Sequence, residues 1–185
     1  MNKPERVIIL IDGSNFYHYL KHREIGYPKG SIFNFKKFAD FLAEERKLIA
    51  KKYYTGILKM IEQDPKSVKL YKGQQRFLDK LIKGDGFELV PGRIMYDKGR
   101  IREKGTDVKI AVDLVVGAFE DKYDTAILVS SDTDLIPAIE EVRKRKKRIE
   151  YIGFSHSPSF GMIKNADGSK LLSIKELKDF IVRKR

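Results

Sequence analysis

The stretch AILVSSDTDLIPAI, residues 126–139, changes pattern half-way. Ala126 to Val129 form a continuous apolar run, the mark of a strand buried on both faces. Ser130-Ser131-Asp132-Thr133-Asp134 interrupts it. Leu135, Ala138, Ile139 and Val142 then recur at helical spacing. A buried strand that runs through two aspartates into a helix is a unit of a parallel α/β sheet. VIILIDGSNF, residues 7–16, repeats the pattern with one aspartate, Asp12.

The rest of the chain continues the alternation. Asn34 caps a predicted helix carrying Phe35, Phe38, Ala39, Leu42 and Ala43. Residues 48–58 read as a strand. Asp64-Pro65 opens a helix with Val68, Tyr71, Gln75, Leu78 and Ile82 on one side and Leu70, Phe77 and Leu81 beside them. Residues 86–92 read as a short strand closed by Pro91-Gly92. Residues 93–107 are polar and basic, either an irregular loop or a small hairpin about Lys98-Gly99. Thr106 caps a helix carrying Val108, Ala111, Val112, Val115, Val116 and Phe119, and 148–154 is a further strand. Residues 155–170, with Pro158, Gly161 and Gly168, read as the most flexible stretch. A capping box, Ser173 to Glu176, opens a last helix with Ile174, Leu177 and Ile181. The expectation is an α/β fold: a mainly parallel sheet with helices on both faces. One domain is expected over 1–185, with a core of 5–154 and a C-terminal loop and helix, 155–185, completing it.

The 185 residues are 42% hydrophobic, enough for a sizeable core, and contain no cysteine. Disulfides, thiol nucleophiles and zinc–thiolate sites are thereby excluded. The N-terminal MNKPERVIIL does not read as a signal peptide, and no apolar run approaches the ~20 residues that span a bilayer. A cytoplasmic protein with no membrane partner is expected. The net charge of +12 draws polyanions, nucleic acid first. The basic run RKRKKR, 143–148, ends a helix, where cations suit the dipole, and is expected to be a solvated face at the edge away from the strand-end carboxylates.

In open α/β sheets ligands sit outside the carboxyl ends of the strands. Asp12, Asp132 and Asp134 follow strand ends, and Asp107 starts a helix that must dock on the sheet. Each one alone reads as a helix cap. Four from three distant segments at one edge read as a cluster, which either protons or a cation must neutralise. Carboxylate oxygens suit Mg²⁺ or Mn²⁺, and such an ion serves phosphoryl chemistry. Asn15 either orients Asp12 or a phosphate, or stabilises the Gly13-Ser14 turn. Asp113 reads as the i,i+4 ion-pair partner of Lys109. There is no P-loop, no dinucleotide fingerprint and no nucleophile elbow.

Three blocks together, VIILIDGSNFY, KGTDVKIAVDLV and AILVSSDTDLIPAIEEVRKRKKRIEYIGF, resemble the NYN-domain family of the PIN-like nuclease superfamily. They span residues 7–154. The resemblance implies a three-layer, Rossmann-like fold and metal-dependent RNA cleavage at an acidic cluster. By position it makes Asp12, Asp107 and Asp132 the core acidic residues, Asp134 a further one, and Asn15 the polar companion of Asp12. Asp113 falls on a recurring acidic position. Ser131 stands where the family often has Gly.

The resemblance also implies Mg²⁺ or Mn²⁺ as cofactor and single-stranded RNA as partner, with a homodimer also compatible. Ser14, Lys21, Arg100, Arg102, Lys104 and Ser131 are the expected substrate contacts. Lys21 and Arg23 can neutralise phosphates, and Tyr17 or Tyr19 can stack on an unpaired base. Two other readings stay open: an RNA-binding or regulatory module without turnover, and a phosphatase of small esters.

Overall fold

Alternation along the first strand, β1 (Arg6–Asp12), organises both halves of the core. Val7, Ile9 and Ile11 face one helical layer, and Ile8 and Leu10 face the other. The structure, a computed structural model, describes residues 3–21, 23, 25, 31–97 and 100–183. Beside β1, parallel to it, lie β3 (Lys47–Gly56) and β6 (Thr125–Val129). Outside β3 come β4 (Glu88–Asp97) and β5 (Arg100–Lys104). Outside β6 come β7 (Arg148–Phe154) and β8 (Gly168–Leu172). The seven-stranded order is β5-β4-β3-β1-β6-β7-β8, antiparallel only between β4 and β5. The chain runs outward from β1 to β5, returns to β6, and runs outward the other way. That reversal makes the carboxyl ends of β1 and β6 the crevice where such sheets take ligands.

On one face pack α1 (Gly13–Leu20), α2 (Phe35–Ala43), the end of α3 (Pro65–Asp79) and α7 (Ile174–Lys178). Aromatic rings fill this layer: Phe16 stacks on Phe38 at 5.6 Å and meets Phe33 edge-on at 5.1 Å. The other face carries α4 (Thr106–Phe119), α5 (Ile136–Lys144) and α6 (Phe160–Asn165). Short strands β2 (Ser31–Phe33) and β9 (Ile181–Arg183) pair antiparallel apart from the main sheet.

Several expectations change. Pro91-Gly92 does not close β4; it marks where the strand exchanges partners, pairing with β3 up to Gly92 and with β5 from Arg93. Residues 93–104 are therefore a hairpin, whose turn residues 98–99 lie outside the described residues. On α4 the buried stripe is Ile110, Leu114 and Ala118, while Val108, Val112, Val116 and Phe119 are exposed. Both stripes have i,i+4 spacing, and docking on the sheet buries the one with Ile110 and Leu114, with Ala111 and Val115 packed at its margin. Ile82 is exposed as well, since a π-type turn at Lys80–Gly84 rotates the end of α3 and buries Leu81 instead. Residues 155–170 are structured: α6 lies within them, and Gly168 to Leu172 add an edge strand to the sheet. Ile181 belongs to β9 rather than to the last helix.

The amino edge of the sheet is closed by ion pairs. Arg6 grips Asp124 in bidentate fashion, Nη2 to Oδ1 at 2.7 Å and Nε to Oδ2 at 3.1 Å. Its backbone N–H adds a third bond to Oδ2 at 2.8 Å. The basic run lies at this edge. Lys147 pairs with Asp121 and Asp124, Arg143 with Asp167 at 3.0 Å, and Lys144 with Glu141 at 2.5 Å. Hydrogen bonds from the Arg6 side chain hold the Asp124 carboxyl well below the usual carboxylate range. A depressed folded-state pKa stabilises the fold above the unfolded value, about 3.9, and the contribution fades as pH falls below that. Asp124→Asn is therefore expected to lower the melting temperature at pH 7, and the gap from wild type should narrow as pH is taken down through 4 to 2. Thermal melts across that range check it; a gap independent of pH would contradict it.

Candidate active site

Asp12 is the last residue of β1 and the N-cap of α1. Its Oδ1 accepts the Asn15 backbone N–H at 3.0 Å. Only 8% of it is exposed. The helix begins at Gly13 because nothing larger fits there. A Cβ on Gly13 would lie 2.7 Å from the Tyr54 carbonyl oxygen and against the Tyr53 ring. The sequence reading took Gly13-Ser14 as a turn; it is the first turn of a helix.

The loop after β6 is tied to Asp12 and to α1. The Ser130 hydroxyl, fully buried, donates to Asp12 Oδ2 at 3.1 Å and accepts the Asp132 N–H at 3.2 Å. The Asn15 side-chain oxygen accepts the Ser131 N–H at 3.1 Å, so Asn15 orients the loop through its amide and Asp12 through its backbone. Asp132 is half-buried and caps a 3-10 turn, Thr133–Leu135, by accepting the Asp134 N–H at 3.0 Å. Asp134 is exposed. The Ser131 hydroxyl shares a 2.8 Å hydrogen bond with that of Tyr151.

Glu103, on β5, was not singled out from the sequence. Its carboxylate accepts hydrogen bonds from Ser14 and Thr106, joining the starts of α1 and α4. It lies over Gly56 and Gly92, which face each other in the β3–β4 register; their lack of side chains opens the slot. The cap of α4 is Gly105, with a positive φ of 77°, while the expected cap, Thr106, turns its hydroxyl to Glu103. Asp107 follows, half-buried, in the first turn of α4.

Burial is the main force raising the Asp12 carboxyl above its ordinary range; its hydrogen bonds oppose this, and the charges of Glu103 and Asp132 add to it. The structure thus brings Glu103 and Asp132 each within electrostatic reach of Asp12. Asp107 and Asp134 occupy the first turns of the elements that follow, α4 and the 3-10 turn after β6. Among the described residues no three Asp, Glu or His side chains gather closely enough to enclose a metal ion. Asp113 is not paired with Lys109, whose ammonium reaches the Pro91 carbonyl. It accepts the Tyr54 hydroxyl at 2.6 Å and pairs with Lys52 at 2.9 Å, fastening α4 to the sheet. Lys21 lies 4.3 Å over the exposed Tyr17 ring, Tyr19 stacks on Phe154 at 4.2 Å, and Arg23 and Lys104 are exposed. The side chains of Arg100 and Arg102 lie outside the described residues.

A profile of the NYN domain matches residues 6–172. The chain belongs to the NYN family. This places it among nuclease-like proteins with a PIN-like fold. A solved structure similar to it, a protein of unknown function from Vibrio parahaemolyticus, is 26% identical. That match covers 98% of this chain and 100% of the other, with a TM-score of 0.68. No curated protein matches. Among the described residues no helix is long and apolar enough to cross a membrane.

In this NYN domain the donors at the edge are hard oxygens, one of them a buried carboxylate among like charges. That donor set fits Mg²⁺ or Mn²⁺, ions held by one or two carboxylates with waters completing the shell. Two contributors escaped the sequence reading. Strand alternation puts Glu103 on the face opposite Lys104, three residues ahead of Thr106, and that is its available signal. Ser130 showed itself only as the first polar residue of the strand end.

Substituting Gly13→Ala forces the new methyl into the Tyr54 carbonyl, so the NYN domain is expected to lose about 1–3 kcal/mol of stability, the usual range for overpacking. Urea denaturation measures this. A wild-type midpoint would show that α1 can start elsewhere.

Proposed function

We propose that this protein is a Mg²⁺- or Mn²⁺-dependent ribonuclease that hydrolyses RNA phosphodiester bonds at the carboxyl ends of β1 and β6. The observation that carries the reading is the buried Asp12 carboxylate, bridged by Ser130 to the segment bearing Asp132 at the point where strand order reverses. Asp12 and Asp132 would hold the ion, with Asp107 and Asp134 engaging it through water. When bound, the ion supplies an activated water and steadies charge on the phosphate and leaving oxygen. Asn15 keeps the Ser131 loop in register with α1. Glu103 fixes the starts of α1 and α4 relative to each other through Ser14 and Thr106. Backbone N–H groups at the starts of these helices favour a phosphate nearby.

Substrate contacts follow from exposure. Lys21 and Lys104 are free to approach phosphates, and Ser14 and Ser131 line the same edge. Tyr17, 54% exposed, is the base-stacking candidate on α1; Tyr19 is committed to Phe154.

Asp132→Asn is the informative change, because Asn caps a helix turn as well as Asp does. Labelled single-stranded RNA is incubated with wild type and variant in Mg²⁺, Mn²⁺ and EDTA, with a small phosphate ester in parallel. Wild-type cleavage of RNA is expected with either metal and not in EDTA. The variant should lose about 100-fold or more, the scale of removing one electrostatic group from a preorganised site, while its melting curve stays near wild type. Undiminished turnover by the variant would refute the assignment. Tight RNA binding without turnover in wild type would identify a binding module, and ester hydrolysis without RNA cleavage a phosphatase.

A further inference from the structure

We propose that Phe160 and Lys164 on α6 form a nucleobase-stacking subsite beside the Asp132–Asp134 loop, one that selects an unpaired base of the RNA strand. Phe160 is 78% exposed, more than any other large hydrophobic side chain among the described residues. The backbone on both sides of it is anchored to the catalytic loop. Before it, the Ser159 N–H donates to the Tyr151 hydroxyl at 3.3 Å, and that hydroxyl is bonded to Ser131 at 2.8 Å. After it, Gly161 packs so closely that a Cβ there would lie 2.9 Å from Thr133 Cγ2. Thr133 stands between Asp132 and Asp134. The ring is therefore exposed on a rigid base, one residue from contact with the acidic loop.

Lys164 is exposed four residues further along α6, on the side of the helix that carries Phe160. The same four-residue spacing occurs on α1, where Lys21 follows Tyr17 and, there, lies over its ring. The two helices belong to opposite layers: Phe16 and Leu20 of α1 join one core, and Met162 of α6 joins the other. Tyr17 and Phe160 thus stand on opposite faces of the sheet, on helices that begin beside the edge bearing Asp12 and Asp132. An aromatic face stacks on any base, and a neighbouring cation takes the phosphate. Bases of an A-form duplex are stacked on one another and present no free face, so such a platform favours single strands.

The proposal rests on the ribonuclease reading of the site, but its test separates the two. Binding is measured in EDTA, without turnover, to a single-stranded RNA, to the same strand made abasic, and to its duplex. Phe160→Ala should weaken single-strand binding at least about fivefold, with abasic and duplex binding unchanged, and Phe160→Trp should restore it. Wild-type affinity in Phe160→Ala, an equal loss on abasic RNA, or no binding by wild type would each overturn the subsite. If Asp132→Asn abolishes cleavage and Phe160→Ala binds normally, the subsite falls and the ribonuclease stands. If wild type never cleaves yet Phe160→Ala loses base-dependent binding, the reverse holds.

Discussion

Burial of one carboxylate at the end of the central strand is the constraint on which the carboxyl edge depends. An ionised group taken out of water is costly unless it is hydrogen-bonded. Asp12 meets that demand from two directions, the first turn of α1 and the loop after β6. Both segments are thereby fixed to one side chain, and through Ser130 the position of Asp132 is fixed as well. A cap needs no charge, since Asn or Ser serves a helix start equally. A carboxylate kept here, with Glu103 and Asp132 pushing its pKa further up, goes against local stability. Such departures from local rules belong to functional sites.

Most of the sheet was legible in the sequence because β1 and β6 are short apolar runs between polar signals, and β3 and β7 keep enough apolar and aromatic residues to read as strands. The edges were harder to read. β8 contains Gly168, Ser169 and Lys170 and is paired with β7, so its pattern resembles a loop. The α4 stripe misled for a different reason: valines on the solvent face mimic a core face, and only the docked helix decides between two apolar sides. At the site, Asp12 and Asp132 were visible as carboxylates after strand ends. Glu103 was hidden because its role depends on Gly56, Gly92 and the Ser14 hydroxyl, brought to it from other strands and from α1, and not on nearby Thr106 alone.

The charge of the chain is distributed unevenly in its effect. Much of the basic run at the amino edge is paired with acidic groups or, for Arg145, laid over the Phe119 ring at 4.4 Å. Those cations brace the fold and contribute to the net +12 only as a diffuse field. A field of that kind raises the local concentration of a polyanion without directing it to one edge.

Directing a polyanion to an acidic edge meets a physical conflict. More lysines close to the carboxylates would attract the strand, but they would also pair with the carboxylates themselves. Lys52 shows the outcome: within reach of Asp113 it forms an ion pair, and both groups become structural. On the proposed reading, cations that serve a substrate have to avoid such pairing, and Lys21, laid over the Tyr17 ring, is one that does. The gap between them and the acidic centre has to be bridged by contacts that carry no charge. Aromatic faces provide such contacts, because stacking on a base neither neutralises a carboxylate nor is repelled by it. On that reading, exposed rings such as Tyr17 and Phe160 at this edge gain a purpose that burial alone does not give them.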